Sequence, residues 1–144
     1  MTPEKIEKVH NGMAIALCCW DLNDQTLSFS GAHNPLIIIR NDDVIELKGD
    51  KQPIGIHKSE SDFNITRLEF FSGDRIYTFS DGYTDQIGGE KDQRFMKSVF
   101  IEKLREISLK PFVHQKDILE NTYLSWKGDH EQMDDVFTLG VLVN

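Results

Sequence analysis

The spacing of the apolar residues changes along the chain, and this change limits the folds that the chain can adopt. Up to Phe79 the apolar residues form short runs between turn-forming residues, which is typical of β-strands. Between residues 96 and 126 they recur at helical spacing, which predicts two amphipathic helices separated by Pro111 and closed by Gly128. The apolar run 136–143 predicts a final strand. The chain therefore reads as strands, then helices, then a strand.

The strands of the first half are predicted in pairs, each joined by a polar turn. The first pair contains a fully apolar, buried strand and a strand of alternating apolar and serine residues, and two further pairs follow. The predicted pairs are residues 14–20 with 26–30, 36–39 with 44–47, and 63–71 with 75–79.

Two acidic segments lie where a predicted strand meets a turn or loop. Asp81, in Ser-Asp-Gly, follows the strand that ends at Phe79, and Asp134 and Asp135 precede the final strand. Carboxylates at strand ends are suitable ligands for hard cations, so these two segments are candidates for one metal site. By residue type alone, each segment is also typical of a solvated turn.

A series of short motifs gives these segments a context. In chain order they are Asn11-Gly12-Met13, Gly31-Ala32-His33-Asn34-Pro35-Leu36, Gln52-Pro53-Ile54-Gly55, Gly73-Asp74-Arg75-Ile76-Tyr77, Ser80-Asp81-Gly82-Tyr83-Thr84-Asp85-Gln86 and Gln132-Met133-Asp134-Asp135-Val136. From about residue 11 to the end, this series resembles the C-terminal part of the SpoIIE/RsbU-type serine phosphatase domain, a branch of the metal-dependent PPM phosphatases. The resemblance implies an α+β fold, an antiparallel β-sandwich flanked by helices, with a two-metal site at one end.

The resemblance also implies which residues bind Mn²⁺ or Mg²⁺. Asp81 matches one metal ligand, Asp134 matches the ligand of the last acidic motif, and Asp85 matches the outer part of the site. If the final strand begins at or before Asp134, then Asp134 and Asp135 point to opposite faces and only one enters the site directly. A bulge at the strand start would reverse that choice in favour of Asp135.

One segment of the family pattern has no counterpart in the sequence. Relatives have an earlier Gly-His-Gly segment that completes the two-metal site, and no Gly-His-Gly occurs here. We therefore expect residues 1–144 to form a single partial phosphatase domain, truncated at the N terminus, and we assign no catalytic side chain. His33 is expected to lie in a structural turn near the site.

Charge and composition limit the kinds of partner that the chain is expected to bind and indicate its cellular compartment. The net charge of −8 argues against a nucleic-acid surface, which needs clustered Lys and Arg. No stretch has the pattern of a signal peptide or the length of a membrane span. Cys18 and Cys19 are adjacent and are expected to be two separate thiols, which fits a cytoplasmic protein.

Two functions from different classes are consistent with these observations. The first is a metal-dependent protein serine/threonine phosphatase of bacterial signalling that acts on a phosphoserine protein such as an anti-sigma-factor antagonist, with weak or no turnover by these residues alone. The second is a non-catalytic fragment or pseudophosphatase that binds other proteins. A shortened sandwich exposes strand edges and apolar surface, so we also expect the chain to form homo-oligomers.

Overall fold

In the computed structural model, which describes residues 12–55 and 61–144, strands dominate the first half and helices the second. The strands of the first half are β1 (Gly12–Met13), β2 (Ile15–Asp21), β3 (Thr26–Ala32), β4 (Leu36–Arg40), β5 (Asp43–Leu47), β6 (Ile54–Gly55), β7 (Thr66–Glu69) and β8 (Arg75–Phe79). They are followed by α1 (Asp81–Thr84), β9 (Ile87–Gly88), β10 (Gln93–Arg94), α2 (Lys97–Ile107), α3 (Phe112–Lys127) and β11 (Thr138–Leu142).

Two antiparallel sheets form the centre of the fold. One has four strands in the order β11-β8-β4-β5, and the other has three strands in the order β2-β3-β7. The strand pairs β1–β6 and β9–β10 are short and separate from these sheets. The predicted antiparallel sandwich with flanking helices is confirmed by this arrangement.

The four-stranded sheet is covered on both faces by apolar side chains. Strand β4 illustrates this, because Leu36 and Ile38 point to one face while Ile37 and Ile39 point to the other, and all four are buried. The first face packs on the three-stranded sheet through Leu27, Phe29 and Ile76. The second face packs on α2 and α3 through residues that include Tyr77, Phe79, Phe100, Leu104, Leu119 and Tyr123. The described chain thus has three layers, sheet, sheet and helices.

Strand β2 differs from its prediction as a buried strand. Its side chains alternate between the intersheet core and the outer face, and Leu17 on the outer face is 63% exposed. The strand is apolar on both faces, although only one face is buried. No layer of the described residues covers the outer face of the three-stranded sheet.

The pair predicted between residues 63 and 79 is also different in the structure. The first strand of the pair is limited to β7, which belongs to the three-stranded sheet, while β8 belongs to the four-stranded sheet. The turn at residues 72–74 therefore carries the chain from one sheet to the other and does not close a hairpin.

An ion pair holds that crossing in place. The Asp74 carboxylate is 1% exposed, accepts hydrogen bonds of 2.8 and 2.7 Å from Arg40, and also accepts one from the Phe71 backbone N–H. Burial alone would raise the pKa of Asp74, but the hydrogen bonds from Arg40 and Phe71 outweigh it and lower the pKa. Asp74 therefore stays charged and ties the turn to β4.

In the second half of the chain, the two predicted helices form, but the final strand is shorter than predicted. The two amphipathic segments form α2 and α3, with Pro111 at the start of α3 and Gly128 after its end. The final strand is shorter than the predicted 136–143, since β11 begins at Thr138. Among the described residues, no helix is both long and apolar enough to cross a membrane.

Candidate metal centre

Asp81 lies at the end of the central strand β8. Strands β4 and β11 flank β8, and both faces of its sheet are covered, so the backbone that leads to Asp81 is firmly held. Helix α1 begins at Asp81 itself, and the Asp85 N–H donates to the Asp81 carbonyl oxygen at 2.8 Å. The Asp81 side chain is exposed. The predicted turn after Phe79 is therefore one turn of helix that presents a carboxylate at the end of the sheet.

The buried side of α1 attaches this turn to α3. The Tyr83 hydroxyl donates to the Leu119 carbonyl oxygen at 2.7 Å, and its ring packs against Phe95 and Phe100. Burial, and to a lesser extent the neighbouring Tyr123, raise the pKa of Tyr83, so its hydroxyl remains a proton donor. Asp81 is thus carried on a turn with a fixed position.

The Ser80 hydroxyl joins the Asp81 segment to the loop before β11. Its Oγ donates to the Asp135 carbonyl oxygen at 2.8 Å and accepts from the Phe137 N–H at 3.1 Å. The Ser80 backbone N–H also donates to the Phe137 carbonyl oxygen at 3.2 Å. Ser80, which directly precedes Asp81, is therefore hydrogen-bonded to Asp135 and Phe137, the residues on either side of Val136.

Gly82 allows the loop to approach α1 closely. A Cβ at this position would overlap the Asp135 carbonyl oxygen and would lie 2.8 Å from the Asp135 carbonyl carbon and 3.3 Å from that of Asp134. Only a residue without a Cβ fits there. The Asp81 and Asp134 segments are therefore in backbone contact at one end of the four-stranded sheet.

Asp134 and Asp135 both precede β11, so strand alternation does not separate them. The Oδ1 atom of Asp134 accepts from the Asp135 N–H at 2.7 Å, and the Asp134 carbonyl oxygen accepts from the Gln132 side chain. Both carboxylates are exposed. Which of them binds a metal stays a prediction in favour of Asp134.

Asp85 lies one helical turn after Asp81, at the end of α1. Its carboxylate is 3.6 Å from the Arg94 guanidinium, and the two side chains are 52% and 67% exposed. An ion pair as exposed as this contributes little and is readily exchanged for another cation. This position is compatible with the predicted place of Asp85 at the rim of a site.

The residues that meet here fit a hard divalent cation in part. Carboxylate oxygens are the ligands that Mg²⁺ and Mn²⁺ prefer, and Mg²⁺ is often held by one or two carboxylates with several waters. In residues 12–55 and 61–144, however, no group of three or more His, Cys, Asp or Glu side chains is arranged to hold a metal ion. That Asp81 and Asp134 bind a cation stays a prediction, and two carboxylates would form only part of a ligand set.

Some residues around the site were identified by the sequence and others were not. His33 lies in the expected turn, with a φ of 63°, and its N–H donates to the Asp50 carbonyl oxygen. Ser80 and the buried Gln86 had no role predicted from the sequence, although both hydrogen-bond to the loop around Asp134. Their hydrogen bonds span about fifty residues of sequence, and no local pattern marks them.

Comparison with known proteins places the chain in a family. The family model described as Stage II sporulation protein E (SpoIIE) matches residues 4–144, and the chain belongs to this family. No curated protein sequence gives a significant match.

Solved structures of bacterial phosphatase domains are similar to the chain. The SiaA-PP2C domain of Pseudomonas aeruginosa is 28% identical with a TM-score of 0.81, and the match covers 90% of this chain and 51% of that one. The phosphatase domain of SpoIIE from Bacillus subtilis is 19% identical with a TM-score of 0.66, over 91% and 58% of the two chains. The serine/threonine phosphatase PstP of Mycobacterium tuberculosis is 14% identical with a TM-score of 0.62, over 92% and 61%. The two less similar structures support the fold alone.

Two facts from these structures bear on the site. The chain spans between about half and three fifths of these three solved structures. The catalytic domain of PstP has been solved in complex with 2 manganese ions, and the SpoIIE phosphatase domain after presoaking with manganese. Manganese is thus bound by one of these relatives and was supplied to another, and the chain corresponds to only part of their domains.

Proposed function

We propose that this chain is the part of a metal-dependent protein serine/threonine phosphatase domain that contributes Asp81 and Asp134 to a Mn²⁺ or Mg²⁺ site. The observation that supports this most directly is the backbone contact between Gly82 and residues 134–135, together with the double hydrogen bond of Ser80. These contacts bring together two carboxylate segments that are more than fifty residues apart in the sequence. Asp85 is proposed to lie at the rim of the same site.

The residues of the chain have separate tasks in this proposal. A bound divalent cation would polarise the phosphoryl group and offset its negative charge. Asp81 and Asp134 would hold the cation, with Asp81 supported by β8 and α1 and Asp134 by the loop that Ser80 secures. Asp85 would exchange its ion pair with Arg94 for contact with the hydration shell of the cation. Because the chain has a net charge of −8, a cation held at this end would also reduce repulsion of a phosphorylated substrate.

We propose a phosphoserine protein as the substrate, in particular an anti-sigma-factor antagonist of a bacterial signalling pathway. Membership of the SpoIIE family supports a phosphoprotein phosphatase, and the particular substrate is inferred from the resemblance of the motifs. A second candidate is a pseudophosphatase or non-catalytic module that binds partner proteins. It is favoured by one observation, the incomplete ligand set among the described residues.

Metal binding provides the first test. Titration of the 144-residue chain with Mn²⁺, monitored by electron paramagnetic resonance, is expected to give weak binding that Asp81→Asn and Asp134→Asn each reduce more than about tenfold, since even residues that only support a ligand usually change affinity 10–100-fold. Asp117→Asn, on the exposed side of α3, removes the same charge and should leave the affinity within about twofold. Equal losses in all three variants would indicate a diffuse charge effect and contradict the proposed site.

The oligomeric state provides a second test. Within the described residues β11 pairs with β8 alone, and Leu139 on it is 57% exposed, so we propose that copies of the chain associate through this edge. Analytical ultracentrifugation at micromolar concentration should detect a dimer or larger species, and Leu139→Lys should shift it towards monomer because a charged edge strand resists pairing. Leu17→Lys, on the outer face of β2, is the matched control. A monomer at all concentrations would contradict the proposal.

A further inference from the structure

We infer that Gln86 is a positioning residue that sets the place of Asp134 relative to Asp81. The inference rests on the proposed function, because it concerns the same metal site. Gln86 follows Asp85 and is 0% exposed, and its side chain hydrogen-bonds to the loop that leads to Asp134. Its role is therefore to hold the backbone of that loop, without contact with a cation.

The Gln86 amide uses its full hydrogen-bonding capacity. Its Nε2 donates to the carbonyl oxygens of Ile87 at 3.0 Å and Glu131 at 2.9 Å. Its Oε1 accepts from the Tyr123 hydroxyl at 2.8 Å and from the Met133 N–H at 3.4 Å. A primary amide has two donor hydrogens and two acceptor lone pairs, and all four are engaged. A buried amide in this state has a single orientation, so it fixes the groups that it contacts.

Two of these four bonds reach the segment that has no secondary structure of its own. Residues 131–137 lie between the end of α3 and the start of β11, and Gln86 holds the segment at residues 131 and 133. Ser80 holds the same segment at residues 135 and 137. Asp134 is therefore located between two attachment points, and both belong to residues that flank Asp81 in the sequence.

This arrangement links the two carboxylates through a short path of bonds. From Asp81 the path runs along α1 to Gln86, across the amide to Met133, and on to Asp134. It runs also from Asp81 back to Ser80 and across to Asp135. A change at Gln86 would leave Asp81 in place, because Tyr83 and β8 hold it, and would release only the Asp134 side.

The chain contains a matched control for this glutamine. Gln115, at the start of α3, is 3% exposed, accepts a hydrogen bond from the Tyr77 hydroxyl at 2.9 Å, and donates to the carbonyl oxygens of Ser108 and Lys110. Both glutamines are buried, and each accepts from a tyrosine hydroxyl and donates to two backbone carbonyl oxygens. Gln115, however, holds the loop between α2 and α3, whereas Gln86 holds the loop before Asp134.

The test compares Gln86→Met with Gln115→Met in the full chain. Methionine is similar in length to glutamine and has no amide, so each variant loses the buried hydrogen bonds of one glutamine side chain. We expect Gln86→Met to weaken Mn²⁺ binding by about tenfold or more in electron paramagnetic resonance titrations, as for other residues that support a ligand. Gln115→Met should bind Mn²⁺ within about twofold of the unaltered chain. Hydrogen exchange should accelerate at residues 131–137 in the first variant and at 108–110 in the second.

A second pair of variants, each of which removes a single hydrogen bond, is used if a methionine variant does not fold. Tyr123→Phe removes the hydroxyl that donates to Gln86, and Tyr77→Phe removes the equivalent bond to Gln115. The same contrast is expected with smaller changes, about two- to fivefold in affinity for Tyr123→Phe. Equal effects on Mn²⁺ affinity within either pair would overturn the inference, since loss of stability alone would then explain both.

The failure of this inference can be separated from the failure of the proposed function. If the unaltered chain does not bind Mn²⁺, the proposed metal site is wrong. Hydrogen exchange then decides the positioning role on its own, because faster exchange at residues 131–137 in Gln86→Met, and not in Gln115→Met, supports it. Unchanged exchange at those residues would overturn it whatever the metal titration gives.

Discussion

Replacing Gly82 with alanine is expected to separate the two carboxylate segments and to abolish Mn²⁺ binding. Alanine usually favours a helix over glycine, so α1 alone would gain stability. The added Cβ, however, would overlap the Asp135 carbonyl oxygen, and a backbone atom cannot rotate away. We therefore expect a net loss of about 1–3 kcal/mol in the free energy of unfolding, measured by urea denaturation, and the loss of the Mn²⁺ signal in the folded variant.

Gly140→Ala is a suitable control for this substitution. Its Cβ would lie 2.9 Å from Cε1 of Phe112 and 3.1 Å from Cε1 of Tyr77, so the crowding would be with side chains in the middle of β11. This variant should also lose stability, because the groove between β11 and α3 is overpacked. It should keep its affinity for Mn²⁺. If Gly82→Ala keeps the same affinity, the close approach of the loop to α1 does not matter for the site.

The second large effect concerns turnover. With Mn²⁺ or Mg²⁺, the 144 residues are expected to hydrolyse para-nitrophenyl phosphate or a phosphoserine protein very slowly, because no group of three or more His, Cys, Asp or Glu side chains among the described residues is arranged to hold a metal ion. Joining the chain to the portion of the SiaA-PP2C domain that lies outside the match should raise the rate strongly. In that chimera, Asp81→Asn or Asp134→Asn should lower kcat by about 10³-fold or more, since groups that act as one unit lose most of their effect together.

Controls distinguish the outcomes of this experiment. Asp117→Asn in the same chimera should leave kcat unchanged within about twofold, as its carboxylate lies on the exposed side of α3. Rapid, metal-dependent hydrolysis by the 144 residues alone, unaffected by either aspartate substitution, would show that the site and the mechanism are misplaced. A chimera that folds and binds Mn²⁺ without turnover would instead favour the pseudophosphatase.

The sequence predicted the order of strands and helices because periodicity depends on local burial. The two helices, the hairpin of β2 and β3, and the hairpin of β4 and β5 follow from the spacing of their own residues. The crossing at residues 72–74 could not be predicted in this way. A tight turn between two apolar segments has the same local pattern in a hairpin and in a crossing. The distinguishing contacts are distant in sequence, since β7 pairs with β3, β8 pairs with β4, and Asp74 bonds to Arg40.

The acidic segments of the candidate site were predicted from the sequence, but the residues that hold those segments in place were not. Asp81, Asp85 and Asp134 were selected from short motifs, and the structure places all three at the same end of the four-stranded sheet. Ser80 and Gln86 were not selected, because serine and glutamine in a polar stretch are usually exposed. Only the folded chain reveals that each of them bonds to the loop around Asp134.

The strands next to the two aspartate segments have unequal support, and this has a kinetic consequence. Strand β8 lies inside its sheet, whereas β11 lies at the edge of that sheet among the described strands. An ion held between Asp81 and Asp134 would then escape when the edge side opens, and its residence time would depend on how often β11 and its loop move apart from β8. Any chain that added a strand beside β11 would slow this release, so assembly at one edge and the lifetime of a bound cation would be coupled.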